Sequence, residues 1–425
     1  MGASRVCRTG PHSSPSPPSP SLGRQFTLTL GFNASAECAA AALYPGIRVM
    51  SIYDNRSTTP REYIYPTYLL PWSVASKDSI CPGGWGYMSA VCWYTYRGVY
   101  EALDVPQGLI SNSFGGSRIE EWSSPDALAE CGAIPPPPPG PGPTLQLSEI
   151  FNVMVTPFTI GPMAVRTAIW LQGEANIGNS FATESPVWYE CAAQALVRDW
   201  RKKLPGLSTF GAFQLGGCVC YPGTVNASDT RQAQWAPLAN VAKFAFASGV
   251  DQANFSDPTN IHYPTKQLVS ARMTAQLLAI EYGLEPNGPT QVPVFSGAEQ
   301  VGDSGSQLVV RVSLDGCNPH CSLRQASCPV ADATQCAGFR VLVSTNASQP
   351  SSWAQATASI LPDGRTLALA VDGAAGATAV ATSYGRANWP LVSLYSVANN
   401  LPVLPWCFSL GLVPDVPCYA AGIGA

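Results

Sequence analysis

Short apolar runs of strand length alternate with helix-length segments through the first two-thirds of this chain, and that alternation limits the fold more than any other feature. The runs are 46–53, 107–111, 167–171 and 210–215, dense in Ile, Val, Leu and Phe and too short for helices. Two helices have readable ends. Ser185 can cap one whose first position is Pro186, and Arg198, Arg201, Lys202 and Lys203 suit its last turns before the Pro205-Gly206 stop. The other spans about 265–282, with Leu268, Ala271, Ala275, Leu278 and Tyr282 as its apolar stripe and Gly283 as its terminator. Strands separated by helices predict a parallel α/β sheet covered on both faces.

Beyond Pro293 the helical period stops. The runs 307–314, 338–344 and 366–371 are β-type and separated by turn residues, so 291–425 reads as a small β-sandwich-like domain. The stretch 25–290 reads as the α/β domain. Residues 1–24 read as a disordered Ser/Pro-rich tail, and 135–143 as a stiff polyproline surface loop. No internal repeat is evident.

Composition narrows the partners. Only 12% of residues are charged, about half the usual share of roughly 25%. The net charge is −4 and the densest basic run is Arg201-Lys202-Lys203, which excludes a nucleic-acid partner of the ordinary phosphate-neutralising kind. No apolar run approaches the ~20 residues of a membrane span. Fourteen cysteines accompany sequons at Asn33, Asn55, Asn226, Asn254 and Asn346. Together they predict a glycosylated, disulfide-bonded protein that is secreted, lysosomal or in another secretory-pathway compartment. The first 23 residues hold no apolar core, so a signal peptide is read as missing from this chain.

Four segments carry polar groups suited to chemistry. Paired glycines in Ser113-Phe-Gly115-Gly116-Ser-Arg-Ile-Glu120 allow a backbone to approach a ligand and aim N–H groups at an oxyanion; a plain tight turn is the alternative. Gln172-Gly-Glu174-Ala-Asn176 follows a strand, where α/β folds place ligands, and a polar helix cap is its alternative. His262 follows Asp251 and Asp257; with His12 in the tail and His320 among cysteines, it is the candidate general base. The cluster of Cys317, His320, Cys321, Cys328 and Cys336 could ligate zinc, but disulfides suit a secretory chain better, and Cys218 and Cys220 read as paired. No metal is expected.

At these segments the chain resembles the sialate O-acetylesterase family, carbohydrate esterases of the SGNH-hydrolase fold. The resemblance rests on Tyr87-Met-Ser-Ala-Val-Cys-Trp93, Gly108-Leu-Ile-Ser-Asn-Ser-Phe-Gly-Gly116, Ile119-Glu-Glu-Trp-Ser-Ser124 and Ile169-Trp-Leu-Gln-Gly-Glu-Ala-Asn176. It continues in Ile261-His-Tyr-Pro-Thr-Lys266, Arg272 and Tyr282-Gly283, with Tyr263 an insertion. The implied substrate is an acetylated carbohydrate, deacetylated by Ser/His acyl transfer with no cofactor. His262 would be the base, Asp257 its orienting acid with Asp251 the alternative, Gly115 and Gly116 the oxyanion turn together with Asn176, and Gln172 and Glu174 would shape the site. The family's nucleophile stretch, Gly-Gln-Ser-Asn-Met-Gln, has no counterpart. Counting back from Gln25-Phe-Thr-Leu puts Leu22 at the serine's place and Ser21 beside it. The resemblance therefore implies an SGNH-like sheet missing its first strand, and a site unable to hydrolyse; a non-catalytic glycan binder and a truncated, poorly folding product are the alternatives.

Overall fold

The computed structural model describes residues 4–9, 31–52, 55–64, 68–82, 88–132, 146–161, 163–177, 186–220, 227–285, 290–316, 322–327, 338–345 and 351–410. The polyproline run, most of the Ser/Pro tail, Asn226, Asn346 and the cluster from Cys317 to Cys336 (Cys317, His320, Cys321, Cys328 and Cys336) lie outside them. The chain divides into two compact units: residues 1–216 with 233–285, and residues 217–232 with 286–425.

The first unit is built on a seven-stranded sheet. Its strands are β1 (Ser4–Thr9), β2 (Ile47–Ile52), β3 (Tyr68–Val74), β4 (Gln107–Ser113), β5 (Val165–Leu171), β6 (Thr209–Phe213) and β7 (Phe244–Ala247), in the order β3-β2-β4-β1-β5-β6-β7. Every neighbouring pair is parallel except β3, which runs antiparallel at the edge. The α/β sheet is as the alternation predicts. Its first strand is not missing, however. Ser4–Thr9, inside the stretch expected to be disordered, pairs with β4 on one side and β5 on the other. A gap there would leave two interior rows of backbone groups unpaired, far worse than an exposed edge.

The strands are apolar on both faces because helices cover both. Thr167, Ile169 and Leu171 of β5 face one layer, and Trp170 the other, by the two-residue period of a strand. On the first face Tyr96, in the Ala90–Leu103 helix, shares a 2.6 Å hydrogen bond with Thr167 Oγ1. That helix packs on the Lys266–Tyr282 helix, where Thr274 Oγ1 donates to the Thr95 carbonyl at 2.9 Å. On the other face Trp200, from the Pro186–Lys203 helix, sits edge-on to Trp170 and Phe210. Both helices span the ranges read from the sequence, with Ser185 outside the described residues, and Gly283 ends the later one with φ +68°.

Of the stripe read for that later helix only Leu278 is buried, so the stripe is not its buried face. Leu268 is 45% exposed, and the buried residues include Lys266, Val269, Arg272, Met273, Gln276 and Leu277. Two buried cations on the inward face disguise it from a hydropathy reading.

Beside part of the Ala227–Trp235 helix, the second unit holds antiparallel strands: β8 (Val294–Ser304), β9 (Gln307–Asp315), β10 (Leu323–Gln325), β11 (Phe339–Ser344), β12 (Ser352–Gln355), β13 (Thr357–Ile360), β14 (Thr366–Val371), β15 (Thr378–Tyr384), β16 (Leu394–Ser396) and β17 (Trp406–Ser409). They form sheets β13-β14-β9-β8 and β12-β11-β15-β17, with β10-β16 as a two-stranded ribbon. Phe295 of the first sheet stacks on Phe408 of the second, ring centroids 4.8 Å apart, and Trp406, Phe339 and Tyr384 continue the aromatic core.

Candidate active site

Strand register brings three of the four chemical segments to one edge. Thr9, the last residue of β1, lies opposite Ser113 of β4 and Leu171 of β5, and Phe213 of β6 lies opposite Ala247 of β7. The Gly115-Gly116 turn, the Gln172–Asn176 loop and the chain leading to His262 therefore all leave the carboxyl edge of the sheet, where open α/β folds hold ligands.

Asn176 joins the first two. Its Oδ1 accepts from the Ile119 backbone N–H at 3.1 Å and from Gln172 Nε2 at 2.7 Å, and its Nδ2 donates to Glu120 Oε2 at 2.9 Å. An amide nitrogen carries two hydrogens, so one Nδ2–H has no partner among the described residues. Gln172 is wholly buried and has no such reserve. Its Nε2 donates to the Ser117 carbonyl and to Asn176, and its Oε1 accepts from the Tyr189 hydroxyl at 3.0 Å. Gln234 Nε2 donates to the Gln172 carbonyl at 2.7 Å. Gly173, between these residues, has φ +148°, and a Cβ there would stand 2.8 Å from Gln234 Nε2. Only glycine fits that turn.

The glycine turn is braced from below. Ser117 Oγ donates to the Phe114 carbonyl and accepts from the Trp122 indole, while Arg118 Nε donates to the Ala175 carbonyl. Gly115 is buried, whereas Gly116 is exposed with φ +67° and has no atom within 4 Å of where a Cβ would lie. That leaves an open face above the turn. Arg56 pairs with Glu121 at 2.7 Å and lies over the Phe114 ring, and burial pushes the Glu121 carboxyl up.

His262 is buried, its backbone N–H held by Asn260 Oδ1 at 2.9 Å. Asp251 commits both oxygens to the Arg272 guanidinium at 2.7 Å each, and Asp257, exposed, accepts from the Thr259 N–H and hydroxyl. Glu174 is half-buried as a residue, but its Oε2 is shut away; burial lifts its carboxyl to about 7, with Lys266 the cation opposing the rise. Ser117, Glu120, Tyr189 and Gln234 escape the sequence reading as site residues. Two adjacent glutamates in an apolar segment are a signal for Glu120; Tyr189 and Gln234 reach the site only through the fold.

Among the described residues no group of His, Cys, Asp and Glu could hold a metal ion, and no helix is long and apolar enough to cross a membrane. Disulfides join Cys38 to Cys81, Cys131 to Cys191 and Cys218 to Cys220. Of the sequon residues described, Asn33 is exposed and Asn55 half-buried; Asn254 is buried, its Oδ1 accepting from Ser256 and Asp257.

No family model matches the chain. It is 27% identical to the sialate O-acetylesterases of Pongo abelii and Homo sapiens, over 406 residues that cover 90% of this chain and 72% of each relative. The chain is thus similar to the sialate O-acetylesterases along most of its length. The sialate O-acetylesterase of Mus musculus is 26% identical over 330 residues, 66% of this chain and 58% of that protein. In fold the chain is similar to a carbohydrate acetylesterase from Xanthomonas citri, with a TM-score of 0.72 at 22% identity, covering 96% of this chain and 80% of that one.

Proposed function

We propose that this carboxyl-edge site is a carbohydrate O-acetylesterase site that seats an acetyl ester of a sugar hydroxyl. The observation that carries it is Asn176. Its carbonyl is fixed by two donors and one Nδ2–H by Glu120, which leaves the other N–H preorganised for a ligand. Donors held this way stabilise a developing oxyanion without reorganising. His262 is the base for acyl transfer. Asp257 is the acid available to orient it, because Asp251 is locked to Arg272. Gln172, its own amide consumed, holds Asn176 in place. The disulfides of the described residues favour an oxidising, secretory-pathway setting.

Hydrolysis needs a nucleophile, and the counted position carries Leu22. On this reading the chain binds acetylated sugars without turning them over. One observation favours a second reading: β1 enters the sheet between β4 and β5, and the sequence continues from it as Gly10-Pro11-His12-Ser13-Ser14. A hydroxyl four or five residues past Thr9 is then the candidate nucleophile. Binding of an O-acetylated sugar by calorimetry, alongside acetate release, separates the two. Binding with no acetate above buffer supports the first, release lost in Ser13→Ala or Ser14→Ala supports the second, and neither binding nor release overturns both.

A further inference from the structure

Lys266 opens the last helix of the first unit only four residues beyond His262, yet it is 1% exposed. Its Nζ stands 3.5 Å from the centroid of the Tyr263 ring. Tyr263 is itself clamped. A Cβ on Gly216 would lie 2.8 Å from its Cε1 and one on Gly249 would lie 3.2 Å from its hydroxyl, so the loops leaving β6 and β7 close on the ring through two glycines. The acid whose field reaches both of them is Glu174, whose buried Oε2 has no hydrogen-bond partner among the described residues. Glu174 and Lys266 act on each other electrostatically, and Glu174 also acts on Tyr263, as do Arg272 and Asp251. Burial draws Lys266 down to about 7 and lifts Glu174 to about 7, each opposing the other's shift.

A cation and an acid buried together cost desolvation that an apolar pair would not. What they supply is register: one lies on the loop that carries Asn176, the other on the segment that carries His262. We infer that Lys266, seated over the Tyr263 ring, and Glu174 are positioning residues that together hold His262 in place against the Gln172–Asn176 loop. The inference rests on the esterase reading for its purpose, but its first readout needs no substrate.

The test follows the His262 imidazole by proton NMR in a background carrying His12→Gln and His320→Gln, which leaves a single histidine. Lys266→Met, Glu174→Gln and the double variant are compared with Lys243→Met as a control on the same unit. The inference predicts a displaced and broadened His262 resonance in all three variants and an unmoved one in the control. Binding of an O-acetylated sugar should weaken at least fivefold in each single variant, and no further in the double. An unmoved His262 resonance in folded variants overturns it, as do losses that multiply in the double variant. Should a single variant fail to fold through its unpaired charge, the double variant, which buries none, decides alone. If no acetylated sugar binds even the unaltered chain, the esterase reading fails while the resonance still judges the positioning role.

Discussion

Asn176 is where the smallest change should have the largest functional effect. Asn176→Ala removes both the donor aimed at the ligand and the acceptor for Ile119 and Gln172, and binding of an acetylated sugar should fall about tenfold, the scale of one to two hydrogen bonds. Gly173→Ala forces a Cβ against Gln234 at a φ that side chains avoid, and should lower stability by about 1–3 kcal/mol in a denaturant melt. Asp251→Asn leaves the buried Arg272 charge uncompensated and should cost about 3–5 kcal/mol. Glu174 has a pH signature. Burial raises its carboxyl from 4.5 to about 7, so the fold favours the protonated acid. Its contribution is fully present below 4.5 and is lost as pH rises to about 7. Melting temperatures of Glu174→Gln and the unaltered chain should diverge across that window, the variant gaining relative stability as pH rises; parallel curves would contradict the assignment.

Among the elements, β1 carries the strongest expectation. Val6→Pro deletes a backbone donor from a strand paired on both sides, and the first unit should lose about 3 kcal/mol or more, or fail to melt cooperatively. A melt unchanged by Val6→Pro would mean that β1 does not hold the sheet. This strand was illegible in the sequence because Ser-Arg-Val-Cys-Arg-Thr has two arginines, two small hydroxyl residues and a Ser/Pro-rich sequel, whereas β2, β4, β5 and β6 announce themselves as apolar runs. The helix of Lys266–Tyr282 was legible in extent but not in orientation, since its inward face carries Lys266 and Arg272. At the site, Gln172 and Asn176 could be read because their spacing places both after one strand. Glu120, Tyr189 and Gln234 could not, because their partners are 17 to 62 residues away.

The whole chain pairs a parallel α/β unit that holds the polar site with an antiparallel β unit closed by its own aromatic core. Within the first unit, the sheet's central strands supply the loops, and the buried network behind them fixes which N–H groups face outward. On the proposed reading this edge recognises an acetyl ester on a sugar and does not cleave it. The most direct measurement is calorimetric binding of O-acetylated and de-O-acetylated forms of one sugar, with acetate followed in the same cell. The account predicts binding of the acetylated form alone, lost in Asn176→Ala, with acetate no higher than in buffer. Acetate release that disappears in His262→Ala would contradict the inactive reading, and equal binding of both forms would contradict the site itself.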